Sequence, residues 1–339
     1  VALFRKKPAG HPISEFWSWW TTMGAALCDA ALERNAPTEI AGPLTKRLAR
    51  INPDLIWETS AGRDARHRLT VSANGNARLR PTAERWLRAG PAADSVWEYR
   101  TSKERDPDGT VGKRLDIAGH QLDLDESLFA TQIDRDANRV HVEVYHPEFA
   151  DMPPDARTTV AFLLLDWVVG EDDVERWIGL ITAVVERPLH PGSAAGLTAS
   201  VSELTAENDP DHWVLARGKD ENGHWLLATL RRGVRWIDYP IFDLHHLIRL
   251  GYDANDEGLP GPEELDRLRH EEDRLQAAIG KSAILIGHIS SQGRRTLHYY
   301  SDSEDQNVTE AIQAAAAAVG ASIDSRPDPA WSAVRQLTG

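Results

Sequence analysis

Apolar residues recur at three- and four-residue spacing through Phe16, Trp17, Trp20, Met23, Ala26, Leu27 and Ala30, which predicts an amphipathic helix entered at Ser14 beside Glu15. A second helix is expected from near Pro37 to about Ile51, where Asn52-Pro53 stops it because a residue before proline avoids the α region. Residues 55–59 and 67–72 read as strands around the Ala61-Gly62-Arg63-Asp64 turn, with Leu69 and Val71 alternating, so a β-hairpin follows. A helix over 81–89, closed by Gly90-Pro91, leads to a strand over 96–100 and a polar loop through Gly109.

Residues 127–133 and 140–145 alternate and are joined by Asp134-Arg135-Asp136-Ala137-Asn138, the pattern of a second hairpin. An apolar helix is expected over 153–169, with Gly170-Glu171-Asp172-Asp173 capping the next helix and a strand over 180–186. The turn formers Pro188-Leu189-His190-Pro191-Gly192-Ser193 place a domain boundary there, giving domains 1–190 and 197–339, with a short helix over 197–206 bridging them. In the second domain, 213–216 and 225–230 flank Asn222-Gly223, which supplies the positive φ of a tight hairpin turn. Then come a strand (245–252), helix (262–279), two strands (283–290, 294–300), helix (308–319) and short strand (321–323). The expected fold is therefore α+β, with two α/β-layer domains. The C-terminal one is ferredoxin-like, βαββαβ with an added N-terminal hairpin, and the first half is a looser layer without a strict repeat.

Charge changes the picture of what the chain meets. Over 339 residues there are 38 Lys and Arg against 52 Asp and Glu, a net −14, which argues against a protein whose main task is coating nucleic acid. Residues 1–114 carry 19 basic and 13 acidic side chains (net +6), and the remainder 19 and 39 (net −20), a field that would steer a basic partner. A merely solubilising surface has the same composition. One cysteine, Cys28, can form no intramolecular disulfide and suits a reducing compartment, so a cytoplasmic location is expected. The start, Val1-Ala2-Leu3-Phe4-Arg5-Lys6-Lys7-Pro8, does not read as a signal peptide, and the apolar run 160–169 is broken by Asp166, so no membrane anchor is expected.

Asp253, Asn255, Glu257, Gly258 and Glu264 fall at calcium-loop positions 1, 3, 5, 6 and 12, but a strand precedes them and Pro260 and Pro262 stiffen the loop. Gly280-Lys281-Ser282 resembles the end of a phosphate-binding loop, yet Leu275 replaces the first glycine and the order is helix to strand, which makes Gly280 a helix cap. His141, Glu143 and Tyr145 alternate onto one strand face as ligand-site candidates, with His146 turned away. His288 and His298 lie on neighbouring strands; a three-residue turn at Ser291-Gln292-Gly293 would set 288 opposite 296 and leave the imidazoles diagonal. His298 and Arg294 complete the ligand-site candidates. No nucleophile elbow is present, Cys28 reads as a small hydrophobe in an Ala-rich helix, and no catalytic residue, metal or cofactor is expected. Direct RNA binding on His298 and Tyr300 is disfavoured, because the basic-Gly-aromatic signature is absent and this half is acidic. Trp19, away from the Phe16–Trp20 side, is the interface candidate of the first helix; Glu264, Glu271 and Asp273 are those of the acidic helix.

Phe16-Trp17-Ser18-Trp19-Trp20, the stretch from Gly170-Glu171 to Trp177-Ile178-Gly179, Glu257-Gly258-Leu259-Pro260, Gly293-Arg294-Arg295, Tyr299-Tyr300 and Asp328-Pro329-Ala330-Trp331 together resemble a bacterial two-part family of unknown function. The C-terminal half is also similar to domains associated with regulators of the ribonuclease E inhibitor type. That resemblance implies a non-enzymatic module that binds a protein partner, such as an RNA-processing enzyme with a basic face. The alternative is an enzyme or small-ligand binder with its site between the two domains.

Overall fold

The computed structural model describes residues 11–106 and 112–335; the Val1–Pro8 start and the Pro107–Gly109 end of the polar loop, read above, lie outside them. Contacts divide the chain into two α+β units, Val1–Arg105 with Gly170–Asp172, and Asp106–Val169 with Asp173–Gly339. The division does not fall at the 188–193 turn run. Gly192 and Phe129 exchange backbone hydrogen bonds of 2.7 and 2.9 Å, and Leu197, Val201 and Leu204 beyond the run join the same core as Phe129 and Val142.

In the first unit α1 (Pro12–Trp19) passes through one π turn (Trp20–Gly24) into α2 (Ala25–Glu33). Pro12, rather than Ser14, opens the helix: its fixed φ suits the first helical position and its missing N–H costs nothing there. After α3 (Thr38–Ile51) come β1 (Ile56–Ala61), β2 (His67–Ser72), α4 (Arg80–Arg88) and β3 (Trp97–Arg100). β1 and β2 form the expected hairpin, and β3 joins β2 in parallel through the α4 crossover. Phe16, Trp17, Trp20, Trp86, Trp97 and Tyr99 fill the core. Its polar edges are satisfied inside, the Trp20 indole donating to the Tyr99 hydroxyl at 2.9 Å and Trp17 to the Trp86 carbonyl at 2.6 Å. Buried Glu98 fastens the β1–β2 turn. Burial opposes its ionisation, but the Arg63 and Asp64 amides and the Arg68 guanidinium hold its carboxyl down to about 2. The returning segment adds Glu171, whose carboxylate accepts from Ser72 Oγ and from the amides of Gly75 and Lys103.

The second unit opens with β4 (Arg114–Ile117) and β5 (His120–Asp123), a hairpin turning on Ala118 and Gly119, both at positive φ. Then follow β6 (Leu128–Asp134), β7 (Arg139–Tyr145), α5 (Pro154–Val168), α6 (Glu171–Trp177), β8 (Ile178–Val184) and α7 (Ala194–Glu207). β7 lies between antiparallel β6 and parallel β8, and the inward residues Val140, Val142 and Val144 share a core with Leu164, Leu165 and Val168 of α5 and Leu197 of α7. No helix among the described residues is long and apolar enough to cross a membrane.

The rest of this unit comprises β9 (Trp213–Lys219), β10 (Trp225–Arg231), β11 (Leu244–Gly251), α8 (Pro262–Ile279), β12 (Ala283–Ser291), β13 (Arg294–Ser301), α9 (Gln306–Ala318) and β14 (Ser322–Pro327). Its six strands pair antiparallel in the order β14-β11-β13-β12-β10-β9. One face packs Ile248, Leu250, Leu297 and Tyr299 against Leu268, Leu275 and Ile312 of α8 and α9. The other packs Ile284, Ile286 and Tyr300 against Val234, Trp331 and Val334. Polar contacts sew this sheet to the β6-β7-β8 layer: Trp236 donates to Glu175 at 2.7 Å, Arg176 pairs with Asp238 at 2.7 Å, and Asn208 bridges Asn138 and the Gly233 carbonyl.

Candidate functional site

The β12–β13 turn holds two residues, not the expected three. Gln292 and Gly293 both take positive φ, as a tight hairpin turn requires, and Ser291 pairs with Arg294. That register sets His288 opposite Leu297 and Gly287 opposite His298, and a bulge between Leu285 and Gly287 shifts the pairing only beyond them. The two imidazoles are therefore on opposite faces, not diagonal on one. His288 lies on the helix side, 3.4 Å from Glu272, which also accepts from Arg295 at 2.8 Å. Burial pulls the Glu272 carboxyl upward, but His288 and Arg295 outweigh it and hold it below the usual carboxylate range.

On the other face His298 Nδ1 lies 3.1 Å from His245 Nε2, the His245 ring stacks on Tyr300, and Tyr300 stacks on Trp331 at 4.5 Å while donating to Asp328 at 2.8 Å. All of these side chains are buried. Burial lowers the pKa of His245 to about 3 and of His298 to about 4, so both are neutral. His246, on the helix face between Ser301 and Ser325, is likewise lowered by burial to about 4. Burial and the Asp328 charge push the Tyr300 hydroxyl up. Such groups hold their protons fixed across the neutral range; the stack is mortar between the sheet and the 328–334 segment.

The remaining candidates fall in separate places. His141, Glu143 and Tyr145 do share the outward face of β7, but that sheet has no strand in common with the one carrying Arg294 and His298. His141 is spoken for, since its Nδ1 accepts from the Leu180 amide at 2.9 Å. Trp19 does not stand away from its neighbours: it is half-buried, 5.9 Å from both Phe16 and Trp20, with the Arg47 guanidinium of α3 4.0 Å above its ring. Of the acidic helix, Glu264 and Glu271 both close onto Arg267, whereas Asp273 projects from another side of α8. Burial pushes the Cys28 thiol up to about 12, which leaves it unreactive. In the calcium-like loop the Asn255 carboxamide oxygen accepts from Glu257 and Leu259, and no group of three metal-ligating side chains occurs among the described residues.

Asp273 leads to the feature that pattern reading missed. β10 pairs with β12 only over Leu227–Leu230 and Ser290–Gly287; at Gly287 a Cβ would stand 2.6 Å from the Thr229 carbonyl oxygen, so the two backbones touch there. Beyond that contact β10 stays with β9, and Ala283–Ile286 has no strand on that side among the described residues. The gap is a cleft of about 600 Å³. Trp213, Tyr239 and Phe242 give it an aromatic wall, Asp273 and Gln276 of α8 form another, and Lys281 stands at the turn into β12. Arg231, also on its rim, is held by Asp211 and the Pro210 carbonyl. Trp213 keeps 41% of its surface exposed although it is the bulkiest of these side chains. The cleft thus combines an apolar surface, a cation, Lys281, that pairs with no side chain among the described residues, and a stretch of sheet edge.

Residues 212–337 match a family of unknown function (DUF695). The matched segment runs from β9 past β14 and includes every lining residue of the cleft except Asp211. No curated protein matches the chain.

Proposed function

We propose that this protein is a non-catalytic binding module that takes an extended segment of a protein partner into the cleft beside β12. On this reading the C-terminal domain is a ferredoxin-like layer, β14-β11-β13-β12 with α8 and α9 on one face, widened by the β9–β10 hairpin. The observation that carries the proposal is the edge at Ala283–Leu285, unpaired on the β10 side among the described residues and facing an aromatic wall. A strand laid there gains backbone hydrogen bonds from β12 and places alternate side chains against Trp213 and Phe242, the mode known as β-augmentation. Lys281 favours an acidic residue at one end of that segment. This moves the interface from the acidic face of α8, whose Glu264 and Glu271 share the Arg267 guanidinium, to the cleft on its other side. The resemblance to ribonuclease regulators offers RNA-processing enzymes as a partner class, and the single buried thiol suits the cytoplasm.

A peptide-display library panned on the intact chain tests the proposal. Peptides with alternating apolar residues are expected to enrich, and Trp213→Ser should weaken them at least about tenfold, as loss of an aromatic anchor does. Failure to enrich any peptide, or enrichment indifferent to Trp213→Ser, contradicts it. The cleft volume also falls in the range of small-molecule sites, so a small ligand displaced by Trp213→Ser without any peptide binding would favour the second reading.

A further inference from the structure

At the opposite end of the same sheet from the Tyr300–Trp331 stack, Arg249 and Arg294 face one recess of about 500 Å³ together with Gly251, Gly320 and Ser322. The register explains the convergence. Arg249 on β11 stands opposite Ser322 on β14 and opposite Thr296 on β13, and Arg294 lies two residues before Thr296, so the two guanidinium groups are diagonal neighbours on one face. Arg326, opposite His245, extends the same face along β14. None of the three guanidinium groups has an ion pair or hydrogen bond among the described residues, although the chain holds 52 carboxylates that could have supplied one. Of the acids on this face, Asp324, opposite Leu247, pairs with none of the three, and Asp328 is taken by the Tyr300 hydroxyl. Two cations kept side by side without a counter-charge repel one another, and the arrangement becomes favourable once an anion lies between them.

We infer that the Arg249–Arg294 recess is a binding site for a phosphoryl group carried by a small molecule. Guanidinium forks from two strands, with Ser322 lining the same recess, offer donors from several directions, which suits the tetrahedral oxygens of a phosphate better than a planar carboxylate. The recess has room for an ester group beyond the phosphate itself. The site is independent of the cleft beside β12, and neither stands or falls with the other.

Calorimetric titration of the intact chain with inorganic phosphate, adenosine monophosphate, adenosine and acetate tests the assignment. Inorganic phosphate and adenosine monophosphate are expected to saturate, with adenosine and acetate at least about tenfold weaker. Arg249→Gln with Arg294→Gln should weaken both phosphoryl ligands at least about tenfold, while Arg187→Gln, which removes an exposed charge elsewhere in the unit, changes them less than about twofold. Tighter binding of inorganic phosphate than of the monoester would assign the site to the free ion, and the reverse order to an ester. No saturation by either below about 10 mM overturns the inference, as does binding that the double substitution leaves unchanged. A single-stranded RNA that binds through the same arginines while adenosine monophosphate does not would also overturn it, replacing the small molecule with a nucleic acid.

Discussion

His245, His246 and His298 show how a residue type that usually signals chemistry can be committed to structure. Each is buried, and burial holds each several units below the ordinary value near 6.5. The unfolded chain therefore binds protons that the folded chain refuses between about pH 6.5 and 4, and stability must fall as pH falls through that window. Each histidine contributes a slope of up to ~1.4 kcal/mol per pH unit there. Denaturant midpoints measured from pH 7 to pH 5 should drop steeply, and His246→Asn, which cannot take up the proton, should flatten the curve whatever it does to absolute stability. A curve equally steep in that variant would contradict neutral burial of His246. The sequence showed these histidines but not their fate. Alternation placed His298 on a strand correctly, while its face relative to His288 turned on the length of the β12–β13 turn, two residues rather than three, which leaves no periodic trace.

Among the elements, those with a strong period were legible in advance. α8 ends at Gly280, which takes φ +62 as a capping residue; of Leu265, Leu268, Leu275 and Ile279, which the spacing turns to the sheet, the last three are buried in its core and Leu265 is half-buried. The β4–β5 hairpin was not legible, because two four-residue strands of mixed polarity give no alternation long enough to read. Nor was the use made of Gly170–Asp172, which the sequence offered only as a helix cap. There the Glu171 carboxylate collects the Ser72 hydroxyl at 2.7 Å and two amides at 3.2 Å, tying β2, the following turn and the segment after β3 to one charge. Glu171→Ala should cost about 2 kcal/mol, the scale of hydrogen bonds made to a charged group. Chemical denaturation followed by fluorescence of the Trp17, Trp20 and Trp86 cluster reads it out; a loss below about 0.5 kcal/mol would mean that water replaces the carboxylate without cost.

For the whole molecule, the α+β class was readable from the alternation of periods, and the order of elements after residue 244 matches the expected βαββαβ succession. The boundary was not readable. A run of turn formers marks a loop, but only packing decides whether the loop separates two cores, and here Gly192 and α7 close back onto β6. The cleft is likewise a property of the assembled sheet: it exists because β10 leaves β12 at Gly287, and no residue within it announces the gap. On the proposed function, Ala283–Ile286 is an edge that a partner's strand completes. Residue-resolved amide hydrogen exchange of the intact chain, with and without a peptide selected on it, tests that claim most directly. The edge-facing amides of Ala283–Ile286 are predicted to exchange faster than those of Gly287–Ser290 in the free protein and to slow at least about tenfold when the peptide is added. Protection appearing elsewhere while these amides stay unchanged would contradict the account.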